Sequence, residues 1–325
     1  MRIPKLSAVA LASLLAPVPL APPTQAAPTK VWVSKSGVDG PSCGDVAAPC
    51  ATFQQAHNVV ARGGEIGVLT PGDYGTVSVE QSVSITNDGS GEASILAGNI
   101  DAVVIFAGNG DIVSLRGLVI DGQETGAVGI AIFQVSAVHV QNCVIRNFEQ
   151  AGSGYGITLN PSNNTQLFVS DSIIFNNGSG AGTAGVFIRP GATGSANVVL
   201  DRVHLENNVV GLWVDGTNST GNGTHLVIRD SVVSGNAGDG IYAVSASGKA
   251  PAFVFAERTS VVNNVAAGIL ANGPRATYLL HGNVVTRNGT GIGAGNGGQL
   301  ISYGTNKVNN NLGTDGIPTG TYSPL

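Results

Sequence analysis

The sequence predicts an all-β protein built from stacked coils, and its composition is the first of three observations behind that fold class. Its 325 residues include 47 Gly, about twice ordinary usage, but only 11% are Asp, Glu, Lys or Arg. Hydrophobic residues make up 42%, which excludes a disordered chain. The glycines follow no collagen period, and the scarcity of charge argues against long solvated helices. Short strands joined by many tight turns remain.

The second observation is a recurring phrase of an apolar residue, two variable residues and Asn. It ends at Asn147, Asn177, Asn208, Asn236, Asn264, Asn288 and Asn311. The first and last lie 164 positions apart over six steps, a mean of about 27 residues, which is typical of stacked repeats. We expect these asparagines to adopt left-handed turn conformations and to bond to the Asn of the next coil.

The third observation is that each repeat holds two further β-type segments. One precedes the Asn, and the other is Gly followed by alternating apolar positions, starting at Gly156, Gly185, Gly211, Gly240, Gly268 and Gly291. Three strands in about 27 residues, without a helical segment, predict a right-handed parallel β-helix. In such a fold equivalent side chains form ladders about 4.8 Å apart.

The first 26 residues have the order of a secretory signal peptide. Arg2 and Lys5 precede an apolar run, and small residues follow it. We therefore expect export, to the medium, the periplasm or the cell surface, where disulfides persist. Beyond this segment no run of about 20 apolar residues occurs, so no transmembrane segment is expected in the mature chain.

Residues 27–63 are predicted to form an N-terminal cap. Cys43 and Cys50 bracket a short turn-rich loop and can form one disulfide, whereas Cys143 lies in an apolar strand pattern and is expected to be buried. A helix predicted over Ala51–Arg62 would cover the first strand edges. The β-helix is expected over residues 64–316, followed by a tail, residues 317–325, with Pro318 and Pro324.

Eight charged or titratable residues of the coils fall into two rows that alternate in sign. They are Asp171, Arg202, Asp230 and Arg258 in one row and Asp201, Arg229, Glu257 and His281 in the other. The carboxylates could serve metal binding or acid–base chemistry, but opposite charges on adjacent strands stabilise each other, so we expect structural ion pairs. The net charge is -5 and basic residues are scattered, so nucleic acid is not an expected partner.

The Gly phrases predict an outward-facing row with three aromatic residues in line. It runs Ala131, Thr158, Phe187, Trp213, Tyr242 and Leu270, beside a second row of Phe133, Asn160, Arg189, Asp215, Val244 and Asn272. Aromatic rings with polar neighbours suit sugars, so Phe187, Trp213, Tyr242, Asn160 and Asn272 are candidate ligand residues. Two alternatives remain: long loops folded over the rings, and a protein-partner patch.

This coil pattern resembles the right-handed β-helix superfamily of pectate lyases, polygalacturonases and alginate epimerases. The segment VWVSKSGVDGPSCGDVAAPCATFQQA is also similar to the capping segment of secreted bacterial β-helix proteins of unassigned activity. The resemblance implies an extracellular polysaccharide as partner, bound along an outer face. The reaction does not follow from it, since the scaffold also carries adhesins without catalysis.

If the protein is an enzyme, we expect a lyase, epimerase or hydrolase that acts on uronic-acid glycans, with Asp215 and Arg189 as its catalytic residues. Asp239 is a second carboxylate that hydrolysis could use. The polygalacturonase signatures Asn-Thr-Asp, Asp-Asp and Arg-Ile-Lys are absent. No metal or cofactor is expected, apart from the calcium that the resemblance implies for a lyase. The sequence thus predicts a secreted polysaccharide-binding protein, with a polysaccharide enzyme and a non-catalytic adhesin or surface structural protein as alternatives.

Overall fold

The computed structural model describes residues 26–323, which form three parallel sheets and one short helix. The predicted signal peptide, except for its last residue, and Pro324 lie outside the described residues. Within the described part of the chain, no helix has the length and apolar character needed to cross a membrane.

The elements follow one another as β1 (Lys30–Val33), α1 (Phe53–Val59), β2 (Gly64–Val68), β3 (Gly72–Asp73), β4 (Val77–Val79), β5 (Val83–Thr86), β6 (Ala93–Leu96), β7 (Val103–Phe106), β8 (Ile112–Arg116), β9 (Leu118–Asp121), β10 (Val128–Gln134), β11 (Ala137–Gln141), β12 (Val144–Arg146), β13 (Tyr155–Leu159), β14 (Asn164–Ser170), β15 (Ile173–Phe175), β16 (Ala184–Ile188), β17 (Ser195–Asp201), β18 (His204–Glu206), β19 (Val210–Asp215), β20 (Gly223–Arg229), β21 (Val232–Ser234), β22 (Ile241–Val244), β23 (Ala252–Glu257), β24 (Ser260–Val262), β25 (Ala267–Asn272), β26 (Ala276–His281), β27 (Val284–Thr286), β28 (Thr290–Gly295), β29 (Gln299–Ser302), β30 (Lys307–Asn309) and β31 (Gly320–Thr321).

Each coil contributes one strand to each of three sheets, which have 12, 10 and 9 strands. The twelve-stranded sheet includes β11, β14 and β17, the ten-stranded sheet β12, β15 and β18, and the nine-stranded sheet β13, β16 and β19. In the central coils strand partners lie 28 to 31 residues apart, for example Val138, Leu167, Val198 and Leu226. The predicted parallel β-helix is confirmed. Both β1, in the predicted cap, and β31, in the predicted tail, pair with the twelve-stranded sheet.

The core runs along the solenoid axis because alternate residues of every strand point inward. In β17, Val198 and Leu200 are buried, whereas Asn197, Val199 and Asp201 face outward. Cys143 is buried as well, and desolvation raises the pKa of its thiol to about 11. It is an inert small side chain of the interior, as predicted.

A ladder of buried asparagines runs through the turns between the ten-stranded and nine-stranded sheets. Asn177, Asn208, Asn236, Asn264 and Asn288 are at most 2% exposed. Each accepts, through Oδ1, the backbone N–H of its counterpart in the preceding coil; for Asn236 the distance from Asn208 N is 2.9 Å. The predicted bonding between asparagines of successive coils is confirmed.

Two details of that prediction are wrong. Asn147 is not in the ladder: Phe148 occupies the equivalent position, and its N–H donates to Asn177 Oδ1 at 3.2 Å. The left-handed backbone belongs to the residue before each ladder position: Asn147 before Phe148, Asn176 before Asn177 and Asn207 before Asn208, with φ between 52° and 60°. In each turn, one residue therefore provides the left-handed backbone and the next residue makes the hydrogen bonds between coils.

Three ion pairs join neighbouring coils along the two charged rows, so the predicted pairing is confirmed for part of each row. Arg202 contacts Asp171 at 2.7 Å, Arg258 contacts Asp230 at 2.8 Å, and Arg229 contacts Asp201 at 3.2 Å. Hydrogen bonds from Arg202 and Arg258 lower the pKa values of Asp171 and Asp230. Exposed pairs of this kind contribute little stability individually, and their role is to fix the register of the coils.

The N-terminal end is covered by α1, which is shorter than the predicted helix. Thr52 caps it by accepting the N–H of Gln55 at 3.1 Å. Two helix side chains then satisfy edge donors of β4, the end strand of the nine-stranded sheet. Gln54 Oε1 accepts from Ser78 N at 2.7 Å and His57 Nε2 from Glu80 N at 3.3 Å. These bonds remove two N–H groups that would otherwise be available for pairing with another chain.

Candidate functional site

The outer face of the nine-stranded sheet carries the predicted row of aromatic side chains. Phe187, Trp213 and Tyr242 occupy equivalent positions of β16, β19 and β22. Their ring centroids are 4.9 Å apart between Phe187 and Trp213 and 5.6 Å apart between Trp213 and Tyr242. The structure therefore brings the three predicted aromatic residues into one line.

A fourth ring, which sequence reasoning missed, extends this line. Tyr155 stacks on Phe187 with centroids 5.3 Å apart, and its hydroxyl donates to the Gly182 carbonyl at 2.7 Å. Burial raises the pKa of Tyr155. The residue precedes its Gly phrase by one position, so the repeat did not include it. We call Tyr155, Phe187, Trp213 and Tyr242 the aromatic ladder.

The rings of the aromatic ladder cover one another to different degrees. Phe187, between two neighbours, is only 8% exposed, whereas Trp213 and Tyr242 are half-buried. Trp213 Nε1 is buried and has no hydrogen-bond partner among the described residues. A buried indole N–H normally has one, so this donor remains available if a ligand opens access to it.

Arg189 and Asp215 lie beside the aromatic ladder and contact each other at 3.3 Å between Nε and Oδ2. Asp215 is buried, and its Oδ1 accepts from Thr217 N at 2.8 Å and from Thr217 Oγ1 at 2.6 Å. The side chain of Arg189 is 47% exposed. Asp215 therefore holds the guanidinium in place while the other donors of Arg189 face solvent.

The two predicted asparagines lie near the two ends of this group. Asn272 donates through Nδ2 to the Tyr242 hydroxyl at 2.9 Å, and its Oδ1 accepts from Asn296 Nδ2 at 2.8 Å. The Asn160 amide faces the carbonyls of Leu159 and Arg189, each at 3.3 Å, and we assign its nitrogen to that side because an oxygen there would face two acceptors. Both amides thus have partners within the chain.

Two more aromatic rings lie on the nine-stranded sheet, toward the N-terminus. Phe106, at the end of β7, is 58% exposed, and Phe133, in β10, is 38% exposed. The sequence predicts Phe133 in the outward row but does not identify it as a ligand residue. Phe106 lies in a coil that lacks the Asn phrase. The alternation of VVIF could have identified it. These are the rings of this face that are most open to solvent.

Asp239 does not complete a pair of catalytic carboxylates with Asp215. The backbone of Asp239 lies beside Gly211, while Asp215 is paired with Val244, five residues further along. That offset is about 15 Å along the strands, beyond the roughly 5–10 Å of a glycosidase pair. Burial raises the pKa of Asp239, whose Oδ1 accepts the N–H of Ala267 at 2.8 Å.

The described residues do not fit the calcium that a lyase would need. The aromatic ladder has one adjacent carboxylate, Asp215, and both of its oxygens are engaged. Asp39, Cys43 and Cys50 form the one acid and cysteine cluster in residues 26–323 with metal-like spacing. Its two cysteines are joined in a disulfide, and Asp39 Oδ1 accepts the N–H groups of Ala51 and Thr52. This cluster stabilises the cap loop.

With three parallel sheets built from stacked coils, the protein is a parallel β-helix protein. No protein-family model matches the chain, and no curated protein does. Among solved structures, the chain is similar to the pectate lyase Pel9A, with a TM-score of 0.60 and 16% identity over 90% of this chain and 80% of that one. It is also similar to an alginate lyase from Paenibacillus sp. strain FPU-7, with a TM-score of 0.54 and 15% identity over 89% of this chain and 97% of that one.

A third similar structure is ORF18 of Geobacillus virus E2, with a TM-score of 0.51 and 13% identity. The match covers 78% of this chain and 53% of that one. At such identities the likeness shows the shared fold alone. The site must therefore be interpreted from its own residues.

Proposed function

We propose that this protein is exported and binds an extracellular polysaccharide along the nine-stranded sheet. The observation that carries the proposal is a half-exposed Arg189, fixed by a buried Asp215, beside the aromatic ladder. The C–H groups of a sugar can pack on the partly exposed rings of Trp213 and Tyr242. The solvent-exposed rings of Phe106 and Phe133 extend this surface. The names of the two lyases with similar structures add support.

The ligand class follows from the charge on this face. Arg189 offers unpaired guanidinium donors, and its own partner Asp215 is buried, so an incoming carboxylate meets a cation first. A glycan with uronic-acid residues therefore fits better than a neutral one. The spacing of about 4.8 Å between coils lets one extended chain contact several of them.

Binding without catalysis is the better supported form of this proposal. A lyase, epimerase or hydrolase needs a free base or acid near the substrate. Asp215 already accepts two hydrogen bonds from Thr217 and contacts Arg189, which leaves it no such role. An adhesin or surface structural protein without a glycan site would leave the row of half-exposed aromatic and cationic groups unexplained.

Affinity electrophoresis in gels containing polygalacturonate, alginate or neutral dextran tests the proposal. We expect retardation by one of the two acidic polymers, and at least tenfold weaker binding for Arg189→Gln. Arg116→Gln is the matched control, because Arg116 is a similarly exposed, ion-paired arginine on the twelve-stranded sheet. Equal retardation of both variants and the wild type would remove the site, and formation of unsaturated products, followed by absorbance, would favour the lyase alternative.

A further inference from the structure

The outer face of the twelve-stranded sheet carries an uninterrupted apolar stripe. Equivalent positions of six successive strands, β14 to β29, hold Phe168, Val199, Val227, Phe255, Leu279 and Ile301. All six are half-buried, and none belongs to the interior core. The ring of Tyr303 lies against one end of this face, with its centroid 6.4 Å from the Phe255 ring and 5.7 Å from the His281 ring. A contiguous apolar surface of this length is typical of an interaction site.

A row of alternating charge borders the stripe on one side. At the strand ends lie Asp201, Arg229, Glu257 and His281, in register on four successive coils. The side chain of Arg229 is 45% exposed and that of Glu257 is 22% exposed, so both can reach beyond the face. A row that alternates in sign becomes complementary to itself when its direction is reversed.

We propose that a second copy of this chain packs on this face, related by a two-fold axis parallel to the strands. Such an axis reverses the order of the coils but keeps the charged border on the same side. With the axis between the coils of Arg229 and Glu257, each Arg229 faces the other copy's Glu257, and each Asp201 faces the other copy's His281. Opposite charges meet at the two Arg229–Glu257 positions, and at the two outer positions the Asp201 carboxylate meets the imidazole of His281, which can donate a hydrogen bond.

The same axis matches the remaining rows. Val227 faces Phe255 of the second copy, Val199 faces Leu279, and Phe168 faces Ile301, so apolar meets apolar and larger meets smaller side chains. On the other border, His225 faces Phe253 of the second copy and Asn197 faces Thr277. One symmetry operation thus satisfies the three rows together.

The available area is adequate for a dimer. Six strands about 4.8 Å apart and seven residues of about 3.3 Å each give roughly 650 Å² per copy. About 1,300 Å² in total lies within the range of specific protein–protein interfaces. This face is distinct from the nine-stranded sheet, so the dimer leaves the aromatic ladder accessible.

Sedimentation velocity over about 1–100 μM protein tests the dimer, since interfaces of this size range down to micromolar affinity. We expect a concentration-dependent dimer for the wild type and at least tenfold weaker association for Arg229→Glu, which places two acidic groups opposite each other. Glu257→Arg should weaken it similarly. The double variant Arg229→Glu/Glu257→Arg restores opposite charges across the axis and should regain the dimer.

Arg116→Glu is the matched control, because Arg116 lies in the same strand-end row, three coils before Asp201, where the second copy does not extend. Circular-dichroism melting of all variants shows that they are folded. A wild type that is monomeric at every concentration would overturn the proposal, as would single variants that dimerise normally or a double variant that does not recover. Those results would assign the stripe to a different partner.

Discussion

The buried asparagine ladder and the aromatic ladder are both rows of similar side chains stacked coil upon coil. They differ in how many of their hydrogen-bonding groups have partners within the chain. Asn236 accepts from Asn208 and donates to Asn264 at 2.7 Å and to the Leu205 carbonyl at 3.2 Å, so its bonding capacity is used within the chain. Trp213 Nε1 has no described partner, and Arg189 is 47% exposed. A repeated row that the chain satisfies holds the solenoid together, whereas a row left partly unsatisfied is available to a ligand.

The largest expected effect is on the satisfied row. Asn236→Ala leaves the buried N–H of Asn208 without a partner, which costs about 1–3 kcal/mol, and removes the hydrogen bonds to the Leu205 carbonyl and to Asn264, worth about 1 kcal/mol each. We expect the free energy of unfolding to fall by about 3 kcal/mol or more, measured by denaturant titration. Glycan binding by the folded variant should be unchanged.

The control is Asn222→Ala, an exposed asparagine expected to change stability by less than about 0.5 kcal/mol. If Asn236→Ala were equally mild, the ladder would be only a consequence of the fold and not a cause of its stability.

Acid should weaken another satisfied group, Asp111, which is 2% exposed in the N-terminal coils. Desolvation opposes its ionisation, but hydrogen bonds from Arg62, from Ser82 Oγ at 2.7 Å and from Gly108 N at 2.7 Å outweigh it and lower its pKa to about 2. A lowered pKa contributes stability that is complete above pH 4 and is lost as pH falls toward 2. The contribution is about 2 kcal/mol.

Denaturation of the wild type and Asp111→Asn at pH 6, 4 and 2 measures this contribution. The gap between the two proteins should be widest at pH 6 and should narrow at pH 2. Asp239→Asn should behave in the opposite sense, because burial raises the pKa of Asp239 and its ionisation destabilises the fold as pH rises. A gap that does not depend on pH would show that the Asp111 carboxylate is replaceable by any hydrogen-bonding side chain.

The unsatisfied region should respond in binding rather than in stability. Phe106 and Phe133 are 58% and 38% exposed, so Phe106→Ala/Phe133→Ala removes little packing. We expect about tenfold weaker retention by acidic polysaccharide, equivalent to about 1.4 kcal/mol, in affinity electrophoresis, with an unchanged melting temperature. Tyr322→Ala, a ring 53% exposed at the C-terminal end, is the control. Unchanged retention would confine the site to the aromatic ladder.

The fold could be predicted from the sequence because the repeat period fixes the coil and the alternation fixes which side chains face inward. The buried position in the turn at Asn147 could not be predicted, because each turn contains two adjacent positions that can hold Asn. Only the strand register shows that Phe148, and not Asn147, is the buried residue. Alternation also placed Phe187, Trp213 and Tyr242 in line. It could not show that the rings cover one another, because the rotamers depend on neighbouring coils.

The hydrogen bonds that Asp215 accepts could have been predicted from the residues that follow it in the sequence. An Asp followed two residues later by a Thr commonly accepts the backbone N–H and the hydroxyl of that residue, as Asp215 does from Thr217. The sequence showed the carboxylate, and the structure shows that both of its oxygens are engaged within the chain, from which we infer that it positions Arg189.

The smallest expected effect tests that distinction. Asp215→Asn keeps the size and the bonds from Thr217 but removes the charge that holds Arg189, which remains half-exposed and can relax into solvent. We expect acidic-polysaccharide binding to weaken about threefold, or about 0.6 kcal/mol, with the remaining affinity still lost in Arg189→Gln/Asp215→Asn. If Asp215 were instead a catalytic acid or base, the wild type would release products from the polymer and Asp215→Asn would abolish that release without weakening binding, because the amide cannot transfer the proton.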